Sequence, residues 1–290
     1  MTENTYEQVP MGAERRTTNE LRYETNDGES SLVVRQTGAT IRELRLGNVE
    51  VLTTGTALDP HDIEQPLKID AAHTMLPVGP SDLGPQHGVS RYSEYEVEHS
   101  TTTSVTLRNW DRLRNFGHTK EVGLFDDSAV ITDTIENLAL ESTQTSAGEH
   151  LYFKVPEAEL EGIRLVEEDG NDTVIRGHNE DGSIFEGTYA DIVKKIQQGD
   201  TVYGENFSGS QLIEIPGVGQ VRLLAEAAKS SGDDVRVDFH IWHRPGSDTV
   251  CFEPVVGFNV DEDGDHNDGI RLGPDESLQL RSEIQLVTKT

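Results

Sequence analysis

Three short segments of this chain hold side chains able to move protons on a small polar molecule. In Pro85-Gln86-His87-Gly88-Val89-Ser90-Arg91, a proline and a glycine stiffen a loop carrying an imidazole and, four residues on, a guanidinium. A guanidinium is a planar fork of donors suited to vicinal hydroxyls or a carboxylate. The same spacing also describes a plain turn with a surface histidine and a salt-bridged arginine. In Gly148-Glu149-His150-Leu151-Tyr152-Phe153, strand alternation puts His150 and Tyr152 on one face and Leu151 and Phe153 on the other. The polar face either lines a cleft or is merely exposed. In Cys251-Phe252-Glu253-Pro254-Val255-Val256-Gly257, Glu253 stands at the exit of an apolar stretch, and Pro254 is expected to end strand pairing directly after it. A carboxylate fixed there among apolar neighbours would be a base of raised pKa, or else an ordinary strand-end glutamate in an ion pair. Cys251 reads as packing, because Glu253 would oppose a thiolate.

Other groupings carry less. His240 and His243 would fall on opposite faces of a strand, which makes them poor co-ligands. Asp261-Glu262-Asp263-Gly264-Asp265 imitates a calcium loop but has its glycine at the fourth position and Leu272 where a bidentate glutamate belongs. Arg108, Arg112, Arg114, His118 and Lys120 form the one basic cluster of an acidic chain. They predict either local salt bridges or an anion site near the mouth of a cleft.

Strands must position these residues. Apolar and β-branched residues alternate or run briefly in Ser31–Arg35, Thr40–Leu46, Tyr95–Val97, Ser104–Leu107, Ala129–Ile135, Thr173–Ile175, Gln220–Leu224, Val235–Ile241, Val250–Phe252 and Leu278–Val287. Turn residues separate them, and Asp126-Asp127, Asp181-Gly182 and Asp233-Asp234 mark expected hairpins. The best helical signal is Ala190–Ile196, stopped by Gly199. So many strands with almost no crossover helices exclude parallel α/β folds and predict an all-β, large antiparallel sandwich. Residues 1–18 lack periodicity and read as a flexible arm, and 19–290 as one domain without repeats or linkers.

The chain has 290 residues, 53 acidic against 24 basic, for a net charge of -29. Such a surface repels phosphate backbones and anionic lipid, so neither nucleic acid nor a membrane is an expected partner. No apolar run approaches the roughly 20 residues of a spanning helix, and the first residues lack a signal peptide's basic and apolar parts, which predicts a cytoplasmic protein. A single cysteine excludes an internal disulfide. Of the basic residues 17 are Arg and only 7 Lys, a balance that resembles proteins of salt-loving archaea.

Together the three segments resemble, in order, the signature segments of the aldose 1-epimerase, or galactose mutarotase-like, superfamily. The likeness rests on Gln86-His87-Gly88 with Arg91, on Asn137 followed by His150-Leu151-Tyr152-Phe153, on Cys251-Phe252-Glu253-Pro254, and on Gly273-Pro274-Asp275-Glu276-Ser277. An opening Gly38-Ala39-Thr40-Ile41-Arg42-Glu43-Leu44 extends it over about residues 20 to 288. Val89, Ser90 and Leu151 depart from the usual residues, Ala71–Pro77 only approximates the family's Gly-Gly-x-x-Pro loop, and its sugar-binding aspartate has no clear match. The resemblance implies a mutarotase-like supersandwich that interconverts the anomers of an aldose. Glu253 would be the general base and His150 the general acid, with His87, Arg91 and Tyr152 on the sugar. It implies neither metal nor cofactor, a small-molecule sugar or sugar phosphate as partner, and a monomer or homodimer. A hexose-6-phosphate mutarotase and a non-catalytic carbohydrate-binding protein are the alternatives.

Overall fold

Alternation becomes burial in the long strands. Ser128–Asn137, Gly219–Lys229 and Ser277–Val287 each hide nearly every second residue. The computed structural model describes residues 20–53, 71–78, 87–88, 90–112, 114–179, 181–205, 209–258 and 269–287. The arm expected over residues 1–18, the acidic turn at 261–265, and Pro85, Gln86 and Val89 lie outside them.

Two large antiparallel sheets organise the described residues. The nine-stranded one runs in the order Arg164–Val166, Ser210–Ile215, Gly219–Lys229, Ser277–Val287, Ser128–Asn137, Phe116–Leu124, Ser104–Asp111, Glu96–Ser100, with Asp234–Val235 beside Gly219–Lys229. The eleven-stranded one runs Glu20–Glu24, Ser31–Arg35, Ile41–Leu46, Val49–Thr53, Ala147–Lys154, Thr249–Val256, Asp238–His243, Val202–Gly204, Ile175–Asn179, Ile184–Gly187, and Ala72–Met75 pairs with both Ala147–Lys154 and Ile41–Leu46. Leu32, Leu44, Phe153 and Phe252 of the larger sheet share one core with Leu107, Ile131, Val221 and Ile284 of the other. The architecture is the expected β-sandwich.

Most strands run past their expected limits, and the one expected over Thr173–Ile175 lies at Ile175–Asn179; two further departures have a physical reason. Val235–Ile241 is not one strand: the chain leaves the nine-stranded sheet after Asp234–Val235 and enters the larger one at Asp238–His243. At this corner Arg236 Nε donates to Asp238 Oδ1 at 2.7 Å. Nor does Pro254 end its strand. Thr249–Val256 continues through it, buried at all eight positions, with Pro254 opposite Phe239. Proline is tolerated because the other ladder of this strand is interrupted there. It pairs Tyr152 with Cys251 and Leu151 with Phe252, skips two positions, and resumes at Gly148 and Val255. A nitrogen without a hydrogen sits where that ladder needs no donor.

The expected helix forms over Tyr189–Ile196. Asp191 Oδ2 accepts hydrogen bonds from the backbone N–H and hydroxyl of Thr188, at 2.7 and 2.9 Å, and Ile192, Val193 and Ile196 are buried. No helix among the described residues is long and apolar enough to cross a membrane.

Candidate active site

On the larger sheet, the side chains pointing away from the shared core build a polar floor. Cross-strand register sets His178 opposite Tyr203, Tyr203 opposite His240, and His240 opposite Glu253. Beyond the interrupted step the row continues with His150 and, opposite it, His73. A second row sets Trp242 opposite Cys251 and Cys251 opposite Tyr152. The intervening residues Ile241, Phe252 and Leu151 face the core and are fully buried. Because neighbouring side chains on a strand point to opposite faces, one register fixes both the floor and the core.

His150 is the centre of this floor. Its Nε2 lies 3.1 Å from Glu253 Oε1, and the two residues are only 3% and 5% exposed. Its ring is sandwiched between Tyr152, stacked at 4.4 Å, and His73, stacked at 4.8 Å. Trp242 and His87 meet it edge-on at 5.9 and 5.3 Å. Trp242 is itself anchored, its Nε1 donating to Gly199 O at 3.0 Å.

His87 and Arg91 reach the floor from a loop held by two close backbone approaches. His87 and Gly88 both have left-handed backbones, with φ of 62° and 64°. A Cβ on Gly88 would lie 1.6 Å from Leu76 O, and one on Gly38 would lie 2.2 Å from Arg91 O. Glycine at both positions lets the loop wedge between the two segments. From there one terminal nitrogen of the Arg91 guanidinium, Nη1, sits 2.9 Å from His87 Nδ1 and 3.3 Å from His73 Nε2. The guanidinium also lies over the Tyr92 ring at 5.0 Å. The structure therefore brings His87, Arg91, His150, Tyr152 and Glu253 into one cluster. It adds His73, which no sequence motif singled out. The signal for it was slight: a histidine in the apolar run Ala71–Met75, whose register against His150 spans 77 residues of chain and cannot be read locally.

Burial sets the electrostatics. It pushes the Glu253 carboxyl up to about 8. It pulls the His150 imidazole well below its ordinary value, helped by His87 and the Arg91 charge, and does the same to His73, helped by His150 and Arg91. Burial, then the Glu253 charge, raises the Cys251 thiol. At neutral pH the single proton of the His150–Glu253 pair thus rests on the carboxyl, the reverse of the expected carboxylate with imidazolium. Two triplets crowd closely enough to consider a metal, His73 with His87 and His150, and His150 with Cys251 and Glu253. In the first, Arg91 already meets two of the three members, His73 and His87. Its donor set suits a guanidinium better than an ion.

The basic cluster does not converge on this floor. Arg108 pairs with Glu98 at 3.1 Å and lies over Trp110, Arg114 pairs with Asp111 at 3.3 Å, and Arg112 is exposed. His118 and Lys120 point between the sheets instead. Lys120 Nζ donates to both Glu149 oxygens, at 2.9 and 3.0 Å, and to Thr74 Oγ1 at 2.8 Å. Thr74 Oγ1 lies 2.9 Å from Asp133 Oδ1, which accepts from His118 Nε2 at 2.7 Å, and the Tyr95 hydroxyl meets His118 Nδ1 at 2.5 Å. Burial and the Asp133 charge push Glu149 up to about 8. Burial would raise Asp133 as well, but the Lys120 charge and the His118 hydrogen bond outweigh it and hold Asp133 ionised. The cluster is thereby close to neutral, which a buried group of charges requires.

No family model and no curated protein matches the sequence at a significant level. Solved structures do match in fold. A galactose mutarotase-like protein from Lactobacillus casei is 16% identical with a TM-score of 0.68, over 92% of this chain and 100% of that one. A galactose mutarotase-like protein from Clostridium acetobutylicum is 15% identical with a TM-score of 0.63, over 90% and 94%. A galactose 1-epimerase from Lactobacillus acidophilus is 13% identical with a TM-score of 0.57, over 92% and 98%. At these identities the likeness establishes a galactose mutarotase-like fold.

Proposed function

We propose that this mutarotase-like sandwich is an aldose 1-epimerase, interconverting the α and β anomers of an aldose. The observation that carries the reading is the buried His150–Glu253 pair, 3.1 Å apart on a polar floor walled by Tyr152, Trp242 and two further imidazoles. Anomer exchange takes a proton from the C1 hydroxyl and gives one to the ring oxygen. The C1–O5 bond breaks as the C1 carbonyl forms, the C1–C2 bond rotates, and the reverse transfers close the ring. Both oxygens share one carbon, so an acceptor and a donor in direct contact are suitably spaced. We assign Glu253 as base and His150 as acid. Their reactive arrangement, carboxylate with imidazolium, is reached from the resting one by moving the proton across their hydrogen bond. Burial makes that form less populated but more potent: a carboxylate of pKa about 8 is a stronger base than usual, and a depressed imidazolium a stronger acid. His87 and Tyr152 would orient the sugar.

The dispersal of the basic cluster supports a neutral sugar over a hexose 6-phosphate, and the intact proton-transfer pair supports turnover over binding alone. The excess of acidic side chains supports a protein adapted to molar salt. The test is NMR exchange or polarimetry on fresh α-glucose, α-galactose and glucose 6-phosphate in concentrated KCl. Acceleration with the neutral sugars is expected. Equilibration no faster than in buffer, for every sugar, would overturn the reading.

A further inference from the structure

One terminal nitrogen of Arg91 is committed to protein groups, and its commitment has a chemical result. One nitrogen of its guanidinium faces His87 Nδ1 and His73 Nε2. A guanidinium only donates, so both imidazole nitrogens must accept. This excludes the imidazolium form of each ring and fixes its tautomer. His87 carries its hydrogen on Nε2 and His73 on Nδ1. The Nδ1 of His73 is buried and has no hydrogen-bond partner, in a residue only 1% exposed. A buried donor without a partner is a standing penalty in a folded protein, and it is tolerated where a ligand completes it. The donor belongs to the ring stacked on His150, the residue that meets Glu253.

We propose that His73 is a substrate-binding residue, donating its Nδ1–H to a sugar oxygen, and that Arg91 is a positioning residue that fixes His73 and His87 as neutral donors. The proposal rests on the aldose 1-epimerase reading and adds to it a determinant of sugar choice. A site with a fixed donor rejects a sugar that lacks the matching oxygen, because the donor is then left unpaired. A phenylalanine at 73 keeps a ring against His150 and deletes the donor.

Two measurements decide it. The first is the nitrogen-15 spectrum of the wild-type imidazoles, in which His73 should be Nδ1-protonated without sugar and its Nδ1–H resonance should shift at saturating aldose. The second is kcat/KM for the best aldose and its monodeoxy analogues. Wild type should lose about 5- to 100-fold on one analogue, the range expected for an unpaired buried donor. His73→Phe should lose a similar factor on the parent sugar and show no further loss on that analogue. An Arg91→Met variant, which removes the donor shared by the two rings, should give mixed His73 tautomers. An Nε2-protonated His73 in wild type, or a His73→Phe enzyme with unchanged discrimination among the deoxy sugars, overturns the proposal. Failure of the epimerase reading would show separately, as no wild-type exchange on any aldose, while the nitrogen spectrum still reports the tautomer. If His73→Phe does not fold, a His73 resonance in wild type unmoved by a sugar that is turned over is also decisive against it.

Discussion

Replacing Glu253 with glutamine should weaken catalysis and strengthen the fold at once. Glu253 titrates near 8 in the folded protein against an unperturbed 4.5. Between those values the folded state keeps a proton that the unfolded chain releases, so this carboxyl costs nothing below pH 4.5 and lowers stability progressively as pH rises toward 8. At about 1.36 kcal/mol per pH unit, the unfolded chain's advantage reaches about 3 kcal/mol at pH 7. Glutamine has the same shape and does not titrate. The loss of the His150 hydrogen bond subtracts about 1 kcal/mol, leaving a net gain of about 2 kcal/mol at pH 7 that disappears toward pH 4.5. As the proposed proton acceptor, the same side chain should be worth about 10²–10⁴-fold in rate. Urea unfolding of both proteins at pH 4.5 and 7, in one KCl concentration, reads the first effect, and NMR exchange reads the second. A variant that equilibrates anomers at the wild-type rate would refute the assignment of the base. One whose stability follows pH as the wild type's does would refute the buried, proton-holding carboxyl.

Further outcomes follow from the same electrostatics. The profile of kcat/KM against pH should be bell-shaped, since the pair works with one shared proton: its alkaline limb should fall near pH 8 as Glu253 ionises, and its acid limb well below 6.5 as His150 charges. Limbs near 4.5 and 6.5 would mean that both groups behave as if exposed. Lys120→Met should destabilise by about 3–5 kcal/mol in urea unfolding, because it removes the positive charge that balances buried Asp133; a loss under 1 kcal/mol would contradict the ionised network. The unfolding temperature should climb by several degrees between about 0.1 and 2 M KCl, as the Debye length shrinks to about 3 Å or less and self-repulsion is screened. A flat response would remove salt adaptation as the meaning of the acidic surface.

The sheets were legible because burial on one face writes itself into every second residue, and Ser277–Val287 or Ser128–Asn137 carries that record over its whole length. Ser31–Arg35 matches its expected limits residue for residue. Legibility failed where tertiary context overrode a local rule. Pro254 looked like a stop, yet the missing donor coincides with a gap in the ladder that only the neighbouring strand defines. His118 and Lys120 looked like surface cations, but charge type does not reveal that Asp133 and Glu149, from two other strands, wait for them between the sheets. The cleft divided in the same way. Glu253, His150 and His87 announced themselves through local motifs, whereas His73 depends on a long-range register, and the tautomers depend on which nitrogens Arg91 meets.

The chain of hydrogen bonds from Lys120 through Glu149, Thr74, Asp133 and His118 to Tyr95 also limits how portable this cleft is. Thr74 follows His73 and Glu149 precedes His150, each pointing the opposite way from its neighbour. A designer who copied only the floor onto another sandwich would transplant two histidines and discard the reason their strands lie at that depth. Keeping the neighbours instead would bury a threonine and a glutamate with nothing to receive them. The graftable unit therefore spans both sheets, and half of it lies out of reach of any sugar.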